Sequence, residues 1–148
     1  NICNLNCFAN LKCALIGWRL PFTVSDPVPE RGDIVTFWSD ELGKVLVKRT
    51  IGLPGDEVSF RDGYVYINGE KLEEDYLPAQ GITACEMTYT VPEGCVFFLG
   101  DNRTGSLDAR FWCNPYVSVE EIQARPFLAI SVGRDQCWQG VRFLHREG

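Results

Sequence analysis

Two turn dipeptides, Asp62-Gly63 and Asn68-Gly69, constrain this chain more than any other feature. Each supplies the pair of residues tolerant of positive φ that a type I′ hairpin turn demands at its two central positions. Between them lies Tyr64-Val65-Tyr66-Ile67, and before them Glu57-Val58-Ser59-Phe60, both dominated by β-branched and aromatic residues. The spacing predicts a three-stranded antiparallel meander. Strand signals flank it on both sides. Gly32-Asp33 opens the apolar run Ile34 to Trp38, Glu41 to Gly43 turns it, and Lys44 to Ile51 returns as a second strand. Leu53-Pro54-Gly55-Asp56 stops that strand with strong turn chemistry. Val91-Pro92-Glu93-Gly94 leads into Cys95 to Leu99, and Phe127 to Val132 reads as a further strand. The single helix signal is the capping box Ser118-Val-Glu-Glu121, which Arg125-Pro126 closes within about two turns. The predicted class is mainly β and antiparallel, with one short helix.

Composition narrows the function classes. At 148 residues and 45% hydrophobic, the chain suits one domain with a real core and excludes a disordered tail. The net charge of −6, with no basic block, argues against a general nucleic-acid binder. Seven acids and two bases fall between Asp56 and Asp75, a density expected of a solvated face. No stretch approaches the roughly 18 apolar residues of a membrane helix. The longest candidate, Cys13 to Phe22, is broken by Gly17, Arg19 and Pro21, so the chain as given is not expected to span a bilayer. The seven cysteines form no Cys-x-x-Cys pair, which leaves zinc-ribbon and thioredoxin readings without support. They are expected to act as small buried hydrophobes, with metal ligation by Cys3, Cys7 and Cys13 the weaker alternative. Cys85 and Cys95 bracket a hairpin-sized segment able to carry a bridge, and an odd count leaves at least one thiol free or paired between chains.

A lone histidine, His145, stands three residues from the end. A histidine-rich metal site is thereby excluded, and a Ser–His–Asp or Cys–His engine would have to draw on a terminus. If the chain belongs to a hydrolase, its base is expected to be another residue. Lys48 is the first candidate, because it sits in a strand whose two faces both carry apolar residues. Such a lysine either snorkels or pairs at an edge, or lies in a dry pocket where burial favours the neutral amine and makes a general base. The second candidate is Gly100-Asp-Asn-Arg-Thr-Gly-Ser-Leu-Asp-Ala-Arg110, dense in polar groups directly after an apolar strand. It reads equally as an ordinary surface loop or as a hydrogen-bonded scaffold at a site. Asp108 and Arg110 are spaced to pair across a turn, and Ser106 to bond a neighbouring amine.

Lys48-Arg-Thr-Ile-Gly-Leu-Pro-Gly-Asp56 resembles the lysine box of the bacterial type I signal peptidases, which usually runs Lys-Arg-x-Ile-Gly-Leu-Pro-Gly-Asp. Gly100-Asp-Asn-Arg-x-x-Ser-x-Asp-x-Arg110 is similar to that family's other hallmark box. The Arg31-Gly-Asp-Ile-Val35 lead-in and the Asp62-to-Gly69 hairpin are also similar, so the likeness runs from about Pro29 to Val132. The resemblance implies a coiled, barrel-like β core, about 14–56 and 91–134, interrupted by a hairpin insertion at about 57–90, all within one domain of 1–148. It implies a Ser–Lys dyad with no cofactor and no metal, Lys48 acting as general base. Ser106 falls on the serine that orients the lysine, Asp108 and Arg110 on a supporting ion pair, and Asp101, Asn102 and Arg103 on the scaffold of that loop. The implied partners are the signal peptides of exported preproteins, small residues preceding the cleavage site, and a membrane surface on the extracytoplasmic side. Leu15 to Phe22 suits either a patch dipping into that surface or a core strand.

One element of the family pattern is missing. Its nucleophile lies upstream in a Ser-Met-x-Pro box, none of the six serines here precedes Met-x-Pro, and the only methionine is Met87. By position the box would fall near or before Asn1. The expectation is a fragment whose membrane anchor and nucleophile lie upstream, so that the chain alone is inactive. The alternatives are a homologue that has lost its serine and serves as a binding or assembly factor for exported surface proteins, and substitution by an N-terminal cysteine.

Overall fold

The computed structural model describes residues 12–15, 28–125, 128–132 and 138–143. Cys3, Cys7, the apolar segment from Ile16 to Phe22 and His145, all weighed above, lie outside the described residues. Twelve strands are present in the described residues, in three antiparallel sheets. β1 (Lys12–Leu15), β11 (Leu128–Val132) and β12 (Trp138–Phe143) form one of them, in the order β1-β11-β12. No helix among the described residues is long and apolar enough to cross a membrane.

The five-stranded sheet is built from β2 (Ile34–Ser39), β3 (Lys44–Gly52), β8 (Cys95–Leu99), β9 (Tyr116–Ser118) and β10 (Ile122–Ala124), ordered β10-β2-β3-β8-β9. Its β8 strand explains the uninterrupted apolar run seen in the sequence. Phe97 and Leu99 enter a core shared with Ile51, Val58 and Val91, while Val96 and Phe98 enter a second core with Val35, Phe37 and Leu46. Phe37 stacks on Phe98 with ring centroids 4.9 Å apart. A strand covered on both faces has no use for alternation.

The meander forms as the turns require. β4 (Glu57–Arg61), β5 (Tyr64–Ile67) and β6 (Glu70–Lys71) pair in sequence, and β7 (Tyr89–Thr90) joins the free edge of β4. Asp62 and Gly63 have φ of 52° and 79°, Asn68 and Gly69 of 52° and 84°, so both turns carry positive φ at each central residue. Val58, Val65, Ile67 and Tyr89 turn inward against Phe97 and Leu99 of the five-stranded sheet.

Three expectations change. The sheets do not close into a barrel. β9 and β10 are opposite edges of one sheet, yet only residues 119–121 join them. In a flat sheet those edges would stand roughly 19 Å apart, four spacings of about 4.8 Å, so the sheet curls strongly. Closure would need the two edges to share a ladder; each is three residues long, and their other neighbours are β8 and β2. The expected short helix is one 3₁₀ turn, Val119–Glu121. Its capping box is complete, with the Glu120 amide donating to Ser118 Oγ and the Ser118 amide to the Glu121 carboxylate. It stops after a single turn because Ile122 and Ala124 are taken up by pairing with β2. Finally, the acidic stretch is not wholly solvated. Glu57, Asp62, Glu70, Glu73 and Asp75 are exposed, but Asp56 and Glu74 are buried. Cys85, Cys95 and Cys113 are free thiols, so no bridge joins Cys85 to Cys95.

Candidate active site

The strand register sets the site. β3 pairs with β8 from Arg49 opposite Leu99, so Lys48 lies where β8 ends and the Gly100-to-Arg110 loop begins. Across the other edge Lys48 faces Val35 of β2, a fully buried residue. Lys48 is therefore on a central strand, half-buried, and not a snorkelling edge residue. Its Nζ donates to Ser106 Oγ at 2.8 Å across 58 residues of sequence. Gly100 forms the floor beneath the pair. A Cβ placed there would sit 2.0 Å from Ser106 Oγ and 3.5 Å from Lys48 Nζ, so only glycine leaves room for the contact.

Each of the other loop residues has a definite place. Asp101 receives a two-pronged ion pair from Arg49, Nε at 2.8 Å and Nη2 at 2.6 Å, while Arg49 Nη1 donates to the Gly32 carbonyl. The Asn102 carbonyl accepts the amides of Gly105 and Ser106, which folds the chain back and presents the Ser106 hydroxyl to the lysine. Its side-chain oxygen accepts from Thr104 Oγ1. Asp108 is fully buried. Its carboxylate takes Arg110 Nε at 2.8 Å and Nη2 at 2.9 Å, and the Gly100 amide at 3.0 Å. Arg110 Nη2 also donates to the Arg103 carbonyl. The residues singled out from sequence thus converge within one loop and one strand.

Sequence reasoning missed the groups that hold Arg103. Its guanidinium is buried and ion-paired to the buried Glu74, with Nη1 also donating to Thr83 Oγ1 at 2.7 Å and Nε to the Gly100 carbonyl at 3.1 Å. Burial alone would weaken the charge on Arg103, but the Glu74 carboxylate outweighs it and raises its pKa. Tyr76 donates its hydroxyl to Glu74 at 2.6 Å and lays its ring under Arg49, whose guanidinium carbon is 3.8 Å from the ring centroid. Burial, then the Glu74 charge, push the Tyr76 phenol well above its ordinary value, so it stays a protonated donor. Glu74 sat within a run of acids with no apolar periodicity to mark it as buried.

The outline is a lysine amine bonded to a serine hydroxyl at a strand end, over a glycine floor and between flanking ion pairs. The comparisons with known proteins give that outline a family. The sequence profile described as "Signal peptidase, peptidase S26" matches residues 15–130. The protein named "Probable signal peptidase I-2" of Synechocystis sp. is 40% identical over 121 residues, covering 77% of this chain and 53% of that one. "Signal peptidase I" of Bacillus licheniformis is 46% identical over 90 residues, covering 55% and 48%. The crystal structure of a signal peptidase I from Enterococcus faecalis V583 superposes with a TM-score of 0.59 at 37% identity, covering 66% of this chain and 95% of that one. The chain belongs to the signal peptidase family, peptidase S26, as a relative of the bacterial type I enzymes. It spans about half the length of the curated relatives it matches.

Proposed function

We propose that this chain is the catalytic domain of a signal peptidase I-type serine endopeptidase that removes signal peptides from exported preproteins. The observation that carries the reading is the 2.8 Å contact between Lys48 Nζ and Ser106 Oγ, made between the two boxes that resemble those of the family. The nucleophilic serine and a membrane anchor lie upstream of Asn1, and the protein works at the extracytoplasmic face of the membrane. The domain has its core at about 14–56 and 91–134 and an insertion at about 57–90.

In the reaction, neutral Lys48 takes the proton from the serine hydroxyl as Oγ attacks the scissile carbonyl. The resulting ammonium returns that proton to the leaving amine, and an acyl-enzyme remains. Water then attacks the ester, giving a proton to Lys48, which passes it to the departing serine oxygen. Ser106 holds the amine in line throughout, and the ion pairs of Asp101, Asp108 and Arg110 fix the loop. Small residues before the scissile bond are selected by shallow apolar pockets that exclude larger side chains.

The test uses the protein extended by its natural upstream sequence and a labelled preprotein carrying a signal peptide. Cleavage after a small residue is expected, and Lys48→Ala is expected to reduce it by about a thousandfold or more at nearly unchanged stability. Activity persisting in Lys48→Ala removes the lysine from the mechanism. Specific binding of preprotein by a folded protein that never cleaves it would replace the peptidase with an assembly factor.

A further inference from the structure

The Gly100 peptide, on which the Lys48–Ser106 contact rests, is gripped from two sides. Its amide goes to Asp108, which is locked to Arg110 only two residues away. Its carbonyl goes to Arg103, and Arg103 is locked to Glu74, a residue of the long loop that follows the meander. Glu74 and Arg103 are each 2% exposed. Both carboxylate oxygens of Glu74 are committed, one to Arg103 Nη2 and Tyr76, the other to Arg103 Nη1. Through the Tyr76 ring the same carboxylate also reaches Arg49, the neighbour of Lys48 on β3, which in turn holds Asp101.

We infer that Glu74 is a positioning residue for the lysine–serine pair: its buried carboxylate fixes Arg103, hence the Gly100 carbonyl, hence the spacing of Ser106 Oγ from Lys48 Nζ. The inference rests on the proposed peptidase reading for its catalytic consequence, though not for its geometry. A buried carboxylate serving only stability would bind Arg103 without bearing on the pair. Here Arg103 spends its Nε on the one peptide that has no room for a side chain beneath Ser106. The loop around residues 74–83 is thus a working arm of the site, reached by 29 residues of sequence separation from Glu74 to Arg103.

The experiment compares Glu74→Gln, Glu74→Asp and Ile67→Val, the last a one-methylene core change on β5 whose side chain takes no part in the Arg103 hydrogen bonds. In the chain itself, the labelled Lys48 ε-carbon NMR signal is followed with and without Ser106→Ala. Glu74→Gln is expected to move that signal and to abolish its response to Ser106→Ala, whereas Ile67→Val leaves both as in the parent. In the upstream-extended protein, Glu74→Gln is expected to lower kcat by roughly ten- to a hundredfold, with KM changed by about twofold or less. Glu74→Asp, which restores the charge, is expected to recover part of kcat. A folded Glu74→Gln variant with the parental Lys48 signal and kcat overturns the proposal. If Glu74→Gln does not fold, Thr83→Val, which removes a single bond to Arg103, decides between the same two outcomes. An extended parent without any activity would sink the peptidase reading, while the Lys48 signal would still test the positioning role.

Discussion

The β4–β6 meander and the Gly100-to-Arg110 loop lie close together and are specified in opposite ways. The meander is local. Its turns need two residues each, its pairing partners are sequence neighbours, and Asn68 ties the second turn down by accepting from the Glu57 amide and donating to Asp56. The loop has little such regularity. Lys48, Arg49, Glu74 and Thr83 reach it from 58, 52, 29 and 20 residues away, and these contacts hold Ser106, Asp101 and Arg103. Regular secondary structure can be rebuilt from its own residues after a perturbation. A loop built from remote ion pairs loses its shape when one remote partner goes.

The contrast breaks or stands first at Arg103. Replacing it by leucine strands the Glu74 carboxylate without its partner in a dry site, and such truncations cost about 3–5 kcal/mol. Urea unfolding of Arg103→Leu is expected to show a loss of that size. A loss under about 1 kcal/mol would mean that the loop, like the meander, carries its own stability.

The two hairpin turns sharpen the comparison from the other side, since they have the same chemistry and different surroundings. An alanine Cβ at Gly69 meets nothing within 4 Å, so Gly69→Ala is expected to cost only the left-handed strain of about 1–2 kcal/mol. At Gly63 the same Cβ would lie 2.1 Å from the Gly81 carbonyl oxygen. Gly63→Ala is therefore expected to cost a further 1–3 kcal/mol or so for displacing that backbone. It should also disturb Arg103, because the Thr83 amide donates to the Gly63 carbonyl and the Thr83 hydroxyl receives Arg103. Equal losses for the two substitutions, measured by denaturant midpoint, would show the first turn to be as self-contained as the second.

This difference also explains what was legible in the sequence. The meander, its turns and the strand Cys95 to Leu99 were readable because dipeptide turn chemistry and short apolar runs are local signals. Lys48 and the Gly100-to-Arg110 loop could be singled out because each box is an unbroken stretch whose residue order resembles that of the signal peptidases. Glu74, Tyr76 and Thr83 were not, since nothing local distinguishes a buried glutamate in Leu72-Glu-Glu-Asp75 from its exposed neighbours. The short helix was overestimated for a related reason. The capping box at Ser118 marks where a turn starts, whereas pairing of Ile122 and Ala124 with β2, more than eighty residues upstream, decides where it ends.

Ser106 tests whether the loop's geometry reaches the chemistry. Ser106→Ala removes the hydroxyl that accepts from Lys48 without emptying a core, so stability is expected to hold. The cleavage rate of the upstream-extended protein is expected to fall roughly tenfold, about 1.4 kcal/mol of barrier. An unchanged rate would remove Ser106 from any orienting role and reduce the 2.8 Å contact to packing.

The smallest effect lies where the meander leaves the end of β3. Asp56 ends the turn after β3, accepts Arg31 Nη1 at 2.9 Å and the Leu53 amide at 2.6 Å, and receives Asn68 from the meander at 2.8 Å. Burial pushes its carboxyl pKa up, but the Arg31, Leu53 and Asn68 hydrogen bonds outweigh burial and leave it below the ordinary 3.8. A group with a depressed folded pKa binds its proton more readily in the unfolded chain. Its stabilising contribution is therefore complete above the ordinary value and is lost as pH falls from about 3.8 through the folded value. The denaturant midpoint is expected to drop as pH falls below about 3.8, and that drop to shrink in Asp56→Asn, which cannot titrate. Because the Arg31 side chain is 28% exposed, water screens the pair and the difference is expected to be modest. An identical acid limb in Asp56→Asn would remove Asp56 from the acid sensitivity of the fold.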